Sequence, residues 1–201
     1  MLHIDFKSFT YKGLKYNDNF SVSMILGAQG TGKTYLGVKM VEEFIRKNPT
    51  YTIKTNIRSY YENTKQMRKM VYFKKIDEIL NDFEDCCIYL IDEVARKYPK
   101  NAPQDTQFLG WLMQSRKCHR YVFMTHQTYL LVPQWLREPI DHIYTTHHFL
   151  FFKNFCITSY GEPILDENTL DWVVDTKDTY IYKRNKKVAS LYNTFEPVEQ
   201  L

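Results

Sequence analysis

The chain has 201 residues, of which 44% are hydrophobic and 16% aromatic, and this is enough apolar material for a single packed domain over residues 1–201. Lysine and arginine number 27 against 23 acidic residues, and the resulting net charge of +4 favours polyanionic partners but is too small to prove nucleic-acid binding. The four cysteines form no C-x-x-C pair, so we expect reduced thiols and a cytoplasmic location.

Neither a targeting segment nor a membrane helix is predicted. The N-terminal part carries polar and charged groups throughout and lacks the apolar stretch of a signal peptide. The longest apolar runs, CCIYLI and FLFF, are far shorter than the roughly 20 residues that a membrane helix needs. We therefore expect a soluble chain.

Strands and helices alternate in the first half of the chain. The pattern predicts an edge strand at 3–11 (HIDFKSFTY), a buried strand at 20–27 (FSVSMILG) and a second main strand at 51–57 (YTIKTNI). Apolar residues at helical spacing predict a helix from Gly32 that stops at Asn48. Polar helical stretches are expected through MRKM and IDEILNDF.

The second half continues the alternation. Strands are predicted at 86–91 (CCIYLI) and 121–126 (YVFMTH), a helix at 103–117 between them and a short helix at 132–138 after them. Later strands or a hairpin are expected at HIYTT, HFLFFKN and TYIYKR. This order predicts an α/β fold, a three-layer sandwich around a mostly parallel sheet.

A phosphate-binding motif lies between the buried strand and the first helix. The stretch GAQGTGKT fits G-x-x-x-x-G-K-[ST], in which glycines let backbone N–H groups turn toward a β-phosphate and the helix N-terminus adds partial positive charge. Lys33 is expected to reach the β- and γ-phosphates, and the Thr34 hydroxyl to ligate Mg²⁺. The candidate nucleotide-binding residues are Gly27, Ala28, Gln29, Gly30, Thr31, Gly32, Lys33, Thr34 and Tyr35.

An acidic pair follows the strand CCIYLI. Asp92 would lie at the C-terminal edge of the sheet beside the phosphate loop, where a Walker B aspartate holds Mg²⁺. Glu93 could polarise the attacking water as a general base, and this predicts an enzyme that hydrolyses ATP with Mg²⁺. The other interpretation is an acidic pair that caps the following segment.

Other nucleotide-binding classes fit less well. A GTPase needs N-K-x-D, and NKKV, which begins at Asn185, lacks the aspartate. A small-molecule kinase would not need Glu93 beside Asp92. Gln127 ends the strand YVFMTH and would act as a γ-phosphate sensor if that strand neighbours CCIYLI; otherwise it is a loop residue.

The motifs GAQGTGKT, TNI, YLIDE, SRKCHRYVFMTHQ and VPQWLRE occur in an order that resembles the FtsK/HerA superfamily of RecA-like P-loop NTPases. Within it, the chain is similar to the Zot-like and viral genome-packaging ATPases. The resemblance covers residues 21–144 and maps an Arg-bearing helix and a sensor glutamine onto Arg116 and Gln127. The family usually has Thr or Ser before that glutamine, whereas His126 stands here and Thr125 precedes it.

The resemblance implies a ring-shaped homo-oligomer that translocates double-stranded DNA into a viral capsid, in contact with a capsid or portal-like vertex protein. It implies a location in the host cytoplasm or on the virion. An arginine from a neighbouring subunit would complete the ATP site, an effect of roughly 10³ to 10⁵ in rate in other P-loop enzymes. Arg116 is the favoured candidate, followed by Arg120 and Arg137; the alternative for each is a solvated surface arginine.

Three functions therefore remain open at the level of the sequence. The first is DNA packaging, and the second is a Zot-type phage assembly or secretion ATPase that acts at a membrane. The third is a nucleotide switch without catalysis, but a possible catalytic base at Glu93 argues against it. Contacts to DNA would go mainly to phosphates, from the basic clusters KQMRKMVYFKK, RKCHR and YKRNKK. Ordinary solvated charge explains these clusters at least as well.

Overall fold

The computed structural model describes residues 2–4, 21–82, 84–115, 117–148, 155–167 and 171–193. Across these ranges, one sheet carries helices on both of its faces. The strands of the described residues are β1 Leu2–Ile4, β2 Val22–Leu26, β3 Thr52–Thr55, β4 Met70–Tyr72, β5 Cys87–Ile91, β6 Arg120–His126, β7 His142–His148, β8 Phe155–Asp166 and β9 Asp171–Lys183.

The helices lie mainly in the connections between parallel strands. The longest, α1, ends where the Asn48 N–H donates to the Phe44 carbonyl at 2.9 Å, directly before Pro49. The α-helices of the described residues are α1 Lys33–Lys47, α2 Arg58–Thr64, α3 Thr106–Met113, α4 Gln134–Arg137 and α5 Lys186–Ala189, with 3-10 helices at Ile76–Glu78, Val94–Arg96 and Tyr129–Leu131.

The strand order confirms the predicted mostly parallel sheet. Among the described residues the order is β1-β9-β8-β7-β2-β6-β5-β3-β4, and the antiparallel pairings are β7 with β8 and β8 with β9. The strand that carries Gln127 at its end, β6, lies between β2 and β5. The carboxyl ends of these three neighbouring strands therefore meet at one edge of the sheet, where ligands bind in folds of this kind.

Successive residues of the central strands point to opposite faces of the sheet and pack into two separate hydrophobic cores. Ile25, Leu90 and Phe123 face α1 and pack with its apolar side. Met24 and Met124 point the other way, into a core that α3 and α4 complete. Helix, sheet and helix thus form the three layers expected from the sequence.

The polar helical stretches predicted after YTIKTNI are confirmed only in part, by α2 Arg58–Thr64. MRKM ends in β4, because Met70–Tyr72 pairs in parallel with β3 and tertiary pairing outweighs the local helical pattern. IDEILNDF contains only the 3-10 turn Ile76–Glu78. The predicted helix at 103–117 is shorter, because Asp105 caps it by accepting from the Phe108 N–H at 2.9 Å.

Strand predictions differ mainly at the end of the chain. Strand β8 was not predicted, although it pairs along its whole length with β9. The strand predicted at 86–91 begins one residue later, because Cys86 has a left-handed backbone with φ +58° and lies before β5. Residues 5–20 and 149–154, which include most of HIDFKSFTY and HFLFFKN, lie outside the described residues. In the part of the chain that the structure describes, no helix is long and apolar enough to cross a membrane.

Candidate active site

The phosphate-binding loop turns sharply after β2, at Gly27. Gly27 has φ +153°, and its N–H donates to the Gln127 carbonyl at 3.0 Å. A Cβ at this position would lie 2.4 Å from Thr146 Oγ1 and 2.7 Å from the Thr146 carbonyl oxygen. Only glycine fits here, since the loop passes too close to β7 for any side chain.

Threonine side chains fix the middle of the loop. The Thr31 hydroxyl donates to the Ala28 carbonyl at 2.8 Å and lies 2.9 Å from Thr146 Oγ1. The Thr146 hydroxyl in turn lies 3.0 Å from the Leu26 carbonyl, to which it donates. The loop is thus bound to β7 as well as to the strand that leads into it.

Lys33 projects into a cavity of about 370 Å³ above the loop. Its Nζ donates to the Ala28 carbonyl at 3.1 Å. Burial lowers the pKa of Lys33, while the charges of Asp92 and Glu93 act in the opposite direction. The residues that line the cavity are Gln29, Lys33, Glu93, Ala95, Arg96, Thr125, His126 and Gln127.

Asp92 is the centre of a buried hydrogen-bond network at the end of β5. Its carboxylate accepts from the Thr34 hydroxyl at 3.0 Å and from the Thr125 hydroxyl at 2.6 Å. Asn56 fixes the Asp92 backbone on both sides, with hydrogen bonds of 2.8 Å and 3.0 Å. Burial raises the pKa of Asp92, and the hydroxyl donors oppose that shift.

Glu93 leaves the strand in a left-handed conformation, with φ +53° and ψ +47°. This conformation is uncommon for a residue with a side chain, and here the Glu93 N–H donates to the Thr125 hydroxyl at 2.7 Å. The turn points the half-exposed Glu93 side chain into the cavity, where it forms an ion pair with Arg96 at 2.5 Å. Arg96 was not predicted, although its i, i+3 spacing from Glu93 is visible in DEVAR.

The end of β6 contributes two further polar side chains to the cavity. Gln127 is exposed and lines the cavity, beside Glu93 and Lys33. His126 is 2% exposed, and neither ring nitrogen has a hydrogen-bond partner by geometry among the described residues. Burial lowers the pKa of His126 to about 4, with a smaller opposing effect from the Thr128 backbone. The ring is therefore neutral at pH 7.

The fold brings together Lys33, Thr34, Asp92, Glu93 and Gln127, whereas Arg120 and Arg137 lie elsewhere. Arg116 lies outside the described residues. Arg120 is fully buried over the Trp111 ring and donates to the Asp82 carbonyl.

Arg137 is also held inside the fold. It is 5% exposed, donates to the carbonyls of Val132 and Leu130 and forms an ion pair with Asp171 at 2.6 Å. The sequence-based suggestion that Arg120 or Arg137 enters a neighbouring site is therefore wrong, because both side chains are committed to their own subunit.

Tyr35 also differs from its expected place. Its side chain is fully buried, and its hydroxyl accepts from the Asn185 N–H at 2.7 Å. The ring therefore faces the segment after β9 and not the cavity. The same segment brings Arg184 to the loop, where it donates to the Thr31 carbonyl at 3.3 Å. Sequence reasoning missed this contact because about 150 residues separate the two partners.

Comparison with solved structures identifies the fold. The N-terminal domain of the zonular occludens toxin from Neisseria meningitidis matches with a TM-score of 0.60 and 17% identity, over 87% of this chain and 100% of that one. The genome packaging NTPase B204 from Sulfolobus turreted icosahedral virus 2, in complex with ATP-gammaS, matches with a TM-score of 0.54 and 12% identity, over 81% of this chain and 98% of that one.

The chain has the fold of a P-loop NTPase.

This RecA-like fold agrees with the resemblance to Zot-like and packaging ATPases. No family model matches the sequence. Among curated proteins, the chromosomal replication initiator protein DnaA of Citrifermentans bemidjiense is 29% identical over 110 residues. That match spans 53% of this chain and only 23% of the curated relative, so the likeness is local.

Proposed function

We propose that this ATPase is a motor that couples ATP hydrolysis to translocation of double-stranded DNA into a viral capsid. The observation that carries the hydrolytic part is the hydrogen bond of Thr34 to Asp92, beside a cavity that Lys33, Glu93 and Gln127 line. The likeness in fold to a viral genome packaging NTPase supports the DNA-directed part.

The residues fit a magnesium-bound triphosphate. Thr34 and Asp92 offer a hydroxyl and a carboxylate side by side, and oxygen ligands of this kind suit Mg²⁺. When bound, the ion would neutralise charge that develops between the β- and γ-phosphates. Lys33 would bind the same phosphates through its ammonium group, and the glycine loop would offer its backbone N–H groups.

The protein's own residues would carry the proton transfer. Glu93 would accept a proton from the attacking water at its carboxylate, after that carboxylate leaves its ion pair with Arg96. Gln127 would orient the same water or contact the γ-phosphate from the end of β6. Its position between the ends of β2 and β5 supports this sensor role.

We propose a ring of identical subunits, each built from residues 1–201, with ATP at the borders between them. Arg116 remains the candidate that reaches into a neighbour's site, since Arg120 and Arg137 are buried in their own subunit. A capsid or portal-like vertex protein would hold the ring, in the host cytoplasm or on the virion. The fold likeness to a packaging NTPase supports this assembly.

DNA would be bound through its phosphates, because a packaging motor must move any sequence. Charge pairing argues against the first part of KQMRKMVYFKK, where Lys65, Arg68 and Lys69 each form an ion pair with a glutamate. The cluster YKRNKK offers the exposed side chains of Lys183 and Lys186. We favour YKRNKK as the cluster that contacts DNA.

A second candidate function is a Zot-type ATPase for phage assembly or secretion at a membrane. The Zot N-terminal domain gives a higher TM-score than the packaging NTPase and is covered over its whole length, and this favours the alternative. Such a protein would act on phage coat or other proteins, and its turnover would not depend on DNA.

Hydrolysis assays with and without DNA separate the two candidates. The rate of ATP hydrolysis is measured at increasing protein concentration, alone, with double-stranded DNA and with single-stranded DNA of the same sequence. A packaging motor should hydrolyse ATP faster per subunit as the ring forms, and faster again with double-stranded DNA. An oligomer that hydrolyses ATP at the same rate with and without DNA would contradict packaging and support the Zot-type function.

A further inference from the structure

Arg184, the first residue after β9, lies against the outer side of the phosphate-binding loop. Its Nη2 donates to the Thr31 carbonyl at 3.3 Å. Its Nε donates to the Cys156 sulfur at 3.1 Å, and the guanidinium lies 5.8 Å from the centroid of the Tyr35 ring. The side chain is therefore oriented by β8, by α1 and by the loop itself.

The backbone next to Arg184 is fixed to the same helix. The N–H of Asn185 donates to the Tyr35 hydroxyl at 2.7 Å, and Tyr35 follows Thr34 in the first turn of α1. Cys156 is 1% exposed and also approaches the Thr31 carbonyl, at 4.0 Å. The end of the β8–β9 hairpin thus contacts the loop and the start of α1 through separate groups.

Gly32 leaves the space that Arg184 fills. A Cβ at Gly32 would lie 2.8 Å from Arg184 Nη2, and the residue has φ +103°. The absence of a side chain at this position therefore permits the close approach of Arg184 to the loop.

This placement has two electrostatic consequences for a bound nucleotide. A cation that donates to the Thr31 carbonyl polarises the peptide between Thr31 and Gly32, and this makes the Gly32 N–H a stronger donor. The guanidinium also adds positive charge beside a loop that is to receive a triphosphate. Both effects favour the phosphate-bound state.

We propose that Arg184 is a positioning residue that holds the phosphate-binding loop in its binding-competent form and couples it to the β8–β9 hairpin. The proposal rests on ATP binding at this loop, as in the proposed function. By reciprocity, nucleotide binding stabilises the contact of the hairpin end with the loop.

Fluorescence titration with a labelled ATP analogue tests this role in wild type, Arg184→Met and Arg184→Lys. Methionine keeps an apolar side chain against Tyr35 and Cys156 but removes the charge and the donors. We expect Arg184→Met to raise the Kd about tenfold, the size of a lost hydrogen bond to a charged group, and Arg184→Lys to fall between it and wild type. Arg46→Met, which makes the same change at an exposed position near the end of α1, is the matched control and should bind as wild type.

Melting temperatures without nucleotide separate positioning from simple structural support. Positioning predicts that Arg184→Met melts near wild type without ligand but gains less from saturating ATP. If Arg184→Met binds as tightly as Arg46→Met, the proposal is overturned. It is also overturned if affinity falls only in proportion to a lower melting temperature of the free protein. A wild-type chain that binds no ATP would instead contradict the proposed function itself.

Discussion

The Thr125 hydroxyl donates a 2.6 Å hydrogen bond to the Asp92 carboxylate, across the neighbouring strands β6 and β5. The same oxygen accepts from the Glu93 N–H at 2.7 Å. One buried hydroxyl therefore sets the position of the Walker B aspartate and of the turn that directs the proposed base. In the ATPases that the sequence resembles, Thr or Ser usually stands directly before the sensor glutamine, whereas here His126 has that position and Thr125 precedes it.

Replacing Thr125 by valine should slow hydrolysis about 10- to 100-fold, because small displacements of a catalytic group have effects of this size. The change removes both hydrogen bonds at constant shape, and it should lower the free energy of unfolding by about 1–3 kcal/mol. Turnover assays and urea denaturation check the two effects. Thr125→Ser keeps the hydroxyl and should stay near wild type; equal losses in both variants would show that the methyl group matters instead.

Glu93→Gln should bind ATP nearly as wild type but turn over about 10² to 10⁴ times more slowly, because the amide cannot accept the proton of the water. Binding and single-turnover hydrolysis are measured on the same preparation. Glu62→Gln, which changes a surface glutamate paired with Lys65, should leave the rate unchanged. Undiminished turnover in Glu93→Gln would exclude Glu93 as the base.

Mixing two inactive variants tests the proposed arginine in trans. Lys33→Ala and Arg116→Ala should each hydrolyse ATP poorly, whereas an equal mixture should recover about a quarter of the wild-type rate, because a site with both residues then forms at some subunit borders. Arg46→Ala, at an exposed position near the end of α1, should be active alone. Mixed oligomers that stay inactive would show that Arg116 does not act across the border.

His126 should make the protein sensitive to mild acid. Its pKa is lowered from 6.5 to about 4 by burial, so between these values the unfolded chain takes up a proton that the folded chain does not. Stability is therefore lost as the pH falls from about 6.5 toward 4. Wild type should lose about 2 kcal/mol more than His126→Asn between pH 7 and pH 5, measured by urea denaturation. Parallel pH profiles for the two proteins would contradict a buried, neutral His126.

The sequence was sufficient for those parts of the site whose geometry is local. Gly27 to Thr34 form a contiguous motif between a strand and a helix, and Asp92 follows directly on an apolar strand, so both could be placed from adjacent residues. The alternation of strands and helices likewise predicted the mostly parallel sheet. In each case, the neighbours along the chain determine the conformation.

Contacts that depend on sheet register could not be predicted in this way. Asn56 and Thr125 reach Asp92 only because β3, β5 and β6 are adjacent, and no local pattern contains that order. Arginine is usually found on the surface, yet the pairing of β6 with β5 buries Arg120 beside Trp111. Strand β4 was missed because its pairing with β3, not its own short sequence, stabilises it.

The parallel pairing of β1 with β9 has a consequence for biosynthesis. Leu2 aligns with Thr179, so β1 leaves the ribosome well before the strand with which it pairs. At about 5 to 20 residues per second, this delay is roughly ten to thirty-five seconds. During that interval the backbone donors and acceptors of β1 lack their partners in β9 and are open to binding by a chaperone.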